Sequence, residues 1–410
     1  MKKSFVIAMV SAVCMLMAGT ALAADYNINL YGASAQFLYW NDAADNFLTT
    51  ASPEGPGCAS ADQATYDGKH GITRGNNCLG DGSTIYIRYT AKASYDGIFA
   101  VSDSSDPMAA SCDSDNRKRM MVDESSCTTW DDAGCTELSC QYVTLGASDV
   151  SGTTFKQYSW GQDAGHLGGG AITRSFSGVP TTGLAYDRPV VVPFGFFVNS
   201  TALPTLDNLS RAMPVMIYSG QADYWDDFDS TLPNKKIVAC LRHAGSGTHA
   251  TLDAAIMRGD AALATMENPT GSGGAPVIWF NDGSSDMMRC IDQNGGFDTA
   301  THGAVGYADA DYDLVGKGYT NVSAVDYMGV TPSQEAIQNC AHTFWSAQWI
   351  FWDQNWVDTN LTSQEATLIT QLMSFASDGS NLPSTKATWW SAQDDMNCSK
   401  ATDWSFPTRL

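Results

Sequence analysis

The feature that most constrains this chain is a recurring unit: a short apolar or alternating strand, a turn of small residues, then a helix-like run. It appears first at 26–30, where an alternating strand leads through Gly32-Ala33-Ser34 into an amphipathic stretch over 35–47. It returns at 237–241, a strand followed by Arg242-His243-Ala244-Gly245-Ser246-Gly247-Thr248 and a helical run over 249–257. Alternating strands and helices of this kind predict an α/β fold with at least partly parallel sheets. Further strands are expected at 83–91, 141–145, 189–198, 277–281 and 304–307, and further helices at 206–218, 285–293 and 363–375. The stretches 50–83, 102–140 and 151–187 are polar or rich in small residues and read as loops. No internal repeat is present.

Composition narrows the classes. The chain has 410 residues, enough for two or three domains, and a hydrophobic content of 44% that argues against long disorder. A formal charge of -22 opposes a nucleic-acid partner, because the phosphate backbone repels such a surface. A small anion is not opposed, since a pocket can be locally positive inside an acidic shell. Lys2 and Lys3, an apolar run over 5–17 and Ala21-Leu22-Ala23 predict a cleaved signal peptide over 1–23 and export to the periplasm or beyond. No later stretch reaches 18 uninterrupted apolar residues, so no transmembrane segment is expected.

Eleven cysteines less Cys14, inside the leader, leave an even ten. In an exported chain they predict disulfides rather than metal ligation, for there is no Cys-x-x-Cys pair. The full pairing cannot be deduced; Cys58 with Cys78, and two pairs within 112–140, are local possibilities.

The segment 242–248 carries the strongest chemical signal. Glycines let the backbone approach a ligand, Ser246 and Thr248 offer hydroxyls, a helix start offers N–H groups, and Arg242 offers a fork for an oxyanion. The bland reading is a glycine turn beside a surface Arg. There is no Gly-Lys-Ser/Thr phosphate loop, no Gly-x-Ser-x-Gly elbow and no nucleophile–base–acid set, so catalysis is not expected.

Taken in order, several blocks resemble the periplasmic phosphate-binding proteins of ABC importers, within the type II periplasmic-binding superfamily. They are Gly32-Ala33-Ser34-Ala35-Gln36-Phe37, Ser94-Tyr95-Asp96-Gly97, Leu145-Gly146-Ala147-Ser148-Asp149, the strand 189–199, the segment 206–227, the loop 242–248 and Gly303-Ala304-Val305-Gly306-Tyr307. The resemblance spans nearly the whole mature chain. It implies a monomeric, two-lobed binding protein without cofactor, with lobe one at 24–190 plus 345–410, lobe two at 191–344, and an ABC importer permease as partner. It also implies a site in which Gln36, the Phe37 N–H, Ser94, Arg242, Ser246, Gly247 and Thr248 hold phosphate or a related oxyanion while Asp149 accepts its proton. A carboxylate facing an oxyanion repels it unless the ligand brings a proton, so such a site favours phosphate over sulfate.

Three departures stand out. Gln36 replaces a short hydroxyl, Ala244 replaces the acid of the Arg loop, and about 40 extra residues with four cysteines separate Ser94 from Asp149. Ser102-Asp103 is a rival for the acid position. The insertion, 102–140, reads as a stapled excursion without a core of its own, which predicts that it can be excised from a folded protein. Trp345, Trp349, Trp352 and Trp356 fall at helical spacing and read as a packing stripe. His243 and His249 read as incidental, and Arg258-Gly259-Asp260 as a chance tripeptide. Rival classes are an outer-membrane porin and a surface adhesion or electron-transfer accessory that keeps a binding-protein fold.

Overall fold

The computed structural model describes residues 23–104, 111–258 and 277–410. The expected signal peptide, and Gly259 and Asp260 of the tripeptide, lie outside them, apart from Ala23 at the leader's end. Two sheets organise the rest, and the fold is α/β with mixed strand directions.

The first sheet takes β1 (Asp25–Gly32), β2 (Ser60–Asp67), β3 (His70–Cys78), β4 (Ser83–Ala91), β7 (Leu145–Ser148), β10 (Ala185–Asp187) and β18 (Trp349–Trp352). Their order is β10-β18-β7-β1-β4-β3-β2. β1 runs parallel to both β4 and β7, so the chain ends of all three open on one edge. Beside this sheet the small hairpin of β5 (Lys118–Val122) and β6 (Leu138–Tyr142) rises from the insertion. A second hairpin, β8 (Tyr158–Gln162) and β9 (Ala171–Ser175), leaves the sheet and docks on the other half. There Asp163 bridges to Phe280, and the Ala164 N–H donates to the Phe280 carbonyl at 2.7 Å.

The second sheet is ordered β12-β16-β11-β15-β13-β14, with β17 and β19 added along β11. Its strands are β11 (Val190–Asn199), β12 (Asn208–Leu209), β13 (Lys236–Arg242), β14 (Val277–Asn281), β15 (His302–Asp309), β16 (Val322–Tyr327), β17 (Trp345–Ala347) and β19 (Ser391–Ala392). β13 is parallel to β14 and β15, and all ten residues of β11 are buried. The chain passes from one sheet to the other between β10 and β11, returns between β17 and β18, and comes back to pair with β11 at β19. The first two crossings are held together by the Gln348 N–H donating to the Val190 carbonyl at 2.8 Å.

Helices follow the strands as expected. In Phe37–Thr49 the buried Phe37, Trp40, Ala43, Ala44, Phe47 and Leu48 form one stripe facing the core. Ser363–Ser377 begins with a capping box in which Thr362 and Glu365 satisfy each other's backbone N–H groups. Ten cysteines pair as Cys58–Cys78, Cys112–Cys140, Cys127–Cys135, Cys240–Cys290 and Cys340–Cys398.

Several expectations are corrected. The segment 50–83 is not a loop, because it contains the β2–β3 pair. β2 is the edge strand and β3 lies between it and β4, and glycines with Asp, Asn and Gln at partly exposed positions replace the apolar alternation that marks a strand. The stretch 151–187 likewise holds β8, β9 and β10. The helix expected over 206–218 shrinks to Ala212–Tyr218, after the short β12. The tryptophans do not form a helical stripe: Trp345, Trp349 and Trp352 lie on β17 and β18, and only Trp356 is helical. Aromatic and β-branched density wins over the 3.5-residue spacing, and Trp349 stacks on Phe351 two residues along at 5.5 Å.

The insertion is not a coreless excursion either. Met121 and Val122 are fully buried, and Val122 and Cys135 pack with Ala64 and Ile72 of the first sheet. Its Arg117 pairs with Asp353 at 2.9 Å, and Glu124 pairs with the buried Arg88 of β4 at 2.5 Å.

Candidate functional site

The ends of β4, β7 and β13 meet between the two sheets, and each delivers a loop with a polar side chain. After β4 the chain turns into the helix Ser94–Ser102. Gly97 in its first turn presses against the carbonyls of Tyr31 and Ala147. A Cβ there would stand 2.6 Å from each oxygen, so only glycine lets the helix start this close to β1 and β7. The result places Ser94, 1% exposed, against the end of β7, and its Oγ accepts the Asp149 N–H at 3.2 Å.

From the other sheet comes the turn after β13. Ser246 caps the following helix by accepting the His249 N–H, and Gly247–Leu252 continues directly into a π-helical turn, Asp253–Met257. Gly247 lies so close to the first sheet's loops that a Cβ would be 2.2 Å from Ser94 Oγ and 2.6 Å from Asp149 Oδ2. Thr248 Oγ1 donates to Asp149 Oδ2 at 3.4 Å, and the Tyr95 N–H donates to the Gly245 carbonyl at 3.4 Å. Ser94, Asp149, Gly247 and Thr248 are therefore one contiguous buried cluster spanning both sheets.

Arg242 ends β13, 2% exposed. Its Nη1 donates to Ser284 Oγ and its Nη2 to the Asp282 carbonyl, both at 3.0 Å, which fixes the plane of the guanidinium. Nε is buried without a hydrogen-bond partner among the described residues, and Arg242 makes no ion pair among them. Behind it, the Tyr307 hydroxyl accepts the Arg242 backbone N–H at 3.0 Å and lies 2.6 Å from His249 Nδ1. Burial pushes His249 down to about 3, so its ring is neutral and serves the packing of the turn. His243 is engaged as well, with Arg174 donating to Nδ1 at 2.8 Å and Asp282 3.2 Å from Nε2.

Two expected contributors are placed differently. The Phe37 N–H closes its own 3₁₀ turn by donating to the Ser34 carbonyl, so it is engaged within the chain. Gln36 is fully buried, its Nε2 3.4 Å from the Ser148 carbonyl and its Oε1 accepting Trp40 Nε1 at 2.8 Å. The long amide thus braces the loop that ends in Asp149. Asp103, the rival acid, is the exposed left-handed cap at the far end of the Ser94–Ser102 helix from Ser94.

The electrostatics rest on two carboxyls, one of which sequence reasoning missed. Burial above all, then the negative field of Asp309, pushes Asp149 up to about 7, against the pull of Arg242, Thr248 and Ser94. Asp309, at the end of β15, is pushed up to about 6 by burial and Asp311, with Lys386 and Arg242 opposing. Each acid has one buried oxygen, Oδ1, without a hydrogen-bond partner among the described residues. Asp309 brings a negative charge into the field of Arg242, the service expected of an acid at position 244. A cleft of about 800 Å³ adjoins the cluster, and Phe37, Tyr95, Arg174, His243, Ser284 and Asp309 are among its lining residues. Among the described residues no group of His, Cys, Asp and Glu is arranged to hold a metal ion, and no helix is long and apolar enough to cross a membrane.

Comparison with known proteins adds the following. No curated protein matches the chain. Solved structures with a similar fold include an ABC-type phosphate transport receptor from Vibrio cholerae, 14% identical over 84% of this chain and 93% of that one, with a TM-score of 0.44. A phosphate-binding protein from Stenotrophomonas maltophilia is 12% identical over 86% and 84%, with a TM-score of 0.43. A high affinity periplasmic phosphate-binding protein, PfluDING, is 15% identical over 88% and 90%, with a TM-score of 0.48. None of these three reaches a TM-score of 0.5, and the roles of individual residues rest on this chain's own geometry. Residues 170–350 match the family described as the PBP superfamily domain.

Proposed function

We propose that this protein is an exported solute-binding protein that captures inorganic phosphate, or a related oxyanion bearing a proton, and presents it to the permease of an ABC importer. The proposed lobes are 24–190 with 345–410, and 191–344, with β17 and β19 of the C-terminal segment pairing with β11 where the chain crosses between them. The proposed ligands are Ser94 and Asp149 from one lobe and Arg242, Ser246, Gly247 and Thr248 from the other, with Gln36 and Phe37 supporting them. The observation that carries the reading is the meeting of Asp149, Ser94 and Thr248 from both sheets at one buried point within the field of a guanidinium that makes no ion pair among the described residues.

The chemistry follows from charge and donors. Arg242 supplies the positive charge and the hydroxyls supply hydrogen bonds. An ionised Asp149 accepts an O–H from the ligand and repels an oxyanion without one. The work is binding rather than catalysis. Equilibrium dialysis of the purified protein with radiolabelled phosphate, with unlabelled sulfate as competitor, tests this. Saturable binding of one phosphate that sulfate does not displace at pH 8 is expected. Equal displacement by the two anions, or no binding, removes the reading.

A further inference from the structure

The insertion between Ser94 and Asp149 sends one side chain into the heart of the first sheet. Arg119 of β5 is fully buried, with Nε 3.0 Å and Nη2 2.5 Å from Asp96 Oδ1. Its Nη1 donates to the carbonyls of Asn116 at 2.6 Å and Lys118 at 2.9 Å. Asp96 is also fully buried and lies in the first turn of the Ser94–Ser102 helix. Its second oxygen accepts the Tyr31 hydroxyl of β1 at 3.2 Å. One ion pair therefore ties the insertion, β1 and the helix that begins with Ser94.

Such a pair adds little net stability, since exchanging it for apolar groups of similar size is often neutral. Its forked geometry fixes position instead. Position matters here because the packing has no slack: Ser94 Oγ sits against Gly247 and 3.2 Å from the Asp149 N–H. We propose that Arg119 is a positioning residue for the anion site, holding Asp96 and through it the Ser94 hydroxyl in register with Asp149 and Gly247. The proposal rests on the reading of Ser94 and Asp149 as anion ligands. It makes the insertion part of the binding apparatus rather than a surface ornament.

The test uses the full, oxidised protein and two variants: Arg119→Lys, which keeps the charge but lacks the fork, and the double substitution Asp96→Leu with Arg119→Met, which keeps the site apolar and filled. Three readouts are taken: melting temperature, phosphate affinity by equilibrium dialysis, and hydrogen exchange of amides 94–101 without phosphate. The expected result is a double variant that melts close to the unsubstituted protein yet binds phosphate about 10–100-fold more weakly, as when groups that orient ligating side chains are removed. Amides 94–101 then exchange faster, and Arg119→Lys falls between. Should the double variant not fold, Arg119→Lys decides by the same readouts. Phosphate affinity within twofold of the unsubstituted protein in a folded variant overturns the proposal. If the unsubstituted protein binds no phosphate, the functional reading fails separately. Exchange then decides alone: faster exchange at 94–101 supports positioning, and unchanged exchange overturns it.

Discussion

Replacing Asp149 with Asn isolates the group on which both stability and selectivity turn. The folded carboxyl takes up its proton near pH 7, the unfolded one near 3.8. Between those values the folded state binds more protons, so the unliganded protein loses stability as pH rises through that window. About three pH units at 1.36 kcal/mol each give about 4 kcal/mol, nearly all of it lost by pH 8 and only a small part of it lost at pH 4. An amide has no charge to bury, so Asp149→Asn should gain about that amount at pH 8 and almost nothing near pH 4. For a chain of this size unfolding as one unit, this is roughly 5 °C in melting temperature. Scanning calorimetry without phosphate at pH 4.5, 6 and 8 measures it. The same melting difference at all three values would refute the claim that burial raises the Asp149 carboxyl. The substitution also removes the repulsion toward unprotonated anions, so sulfate should bind the variant at pH 8. In the unsubstituted protein sulfate binding should rise as pH falls below about 7.

Three further outcomes follow from the same geometry. Arg242→Ala should weaken phosphate binding by about 1.5–3 kcal/mol, the range for hydrogen bonds to a charged group, and unchanged affinity by dialysis would place the anion elsewhere. Gly247→Ala puts a methyl 2.2 Å from Ser94 Oγ, so phosphate binding should be lost with a lower melting temperature, and a variant that binds normally contradicts the close approach of the two loops. Exchanging 102–140 for a short Gly/Ser linker strands the buried Asp96 without Arg119, at a cost of about 3–5 kcal/mol, and uncovers Ile72. The linker protein should fail to fold or melt far lower in circular dichroism, and a normal melt would restore the view of the insertion as an ornament.

Much of the architecture was legible because its signals are local. The apolar run at β11, the strand–glycine–helix unit at 237–257 and the pattern of the Ser363–Ser377 helix each carry their own hydrophobic period. The cysteines within 58–78 and 112–140 paired within their own loops, while Cys240–Cys290 and Cys340–Cys398 join residues far apart in sequence. The edge strand β2 and its neighbour β3 escaped notice because polar residues and glycines break their apolar alternation. The candidate site was legible at 242–248, where a turn's glycines and hydroxyls announce themselves, and at 94–97 only through the resemblance to a known family. Asp309 and the Asp96–Arg119 pair were not, because nothing in sequence marks an acid that meets Arg242 across a sheet or an Arg that meets its partner 23 residues away. The buried charges of this protein are legible only once the sheets are assembled.

Titration calorimetry with phosphate and sulfate at pH 8, on the unsubstituted protein and on Asp149→Asn, tests the central claim most directly. One phosphate per chain with no heat from sulfate, and sulfate binding gained in the variant, is the predicted result. Sulfate binding as tightly as phosphate to the unsubstituted protein, or no anion binding to either, would contradict a buried site selective for a protonated oxyanion.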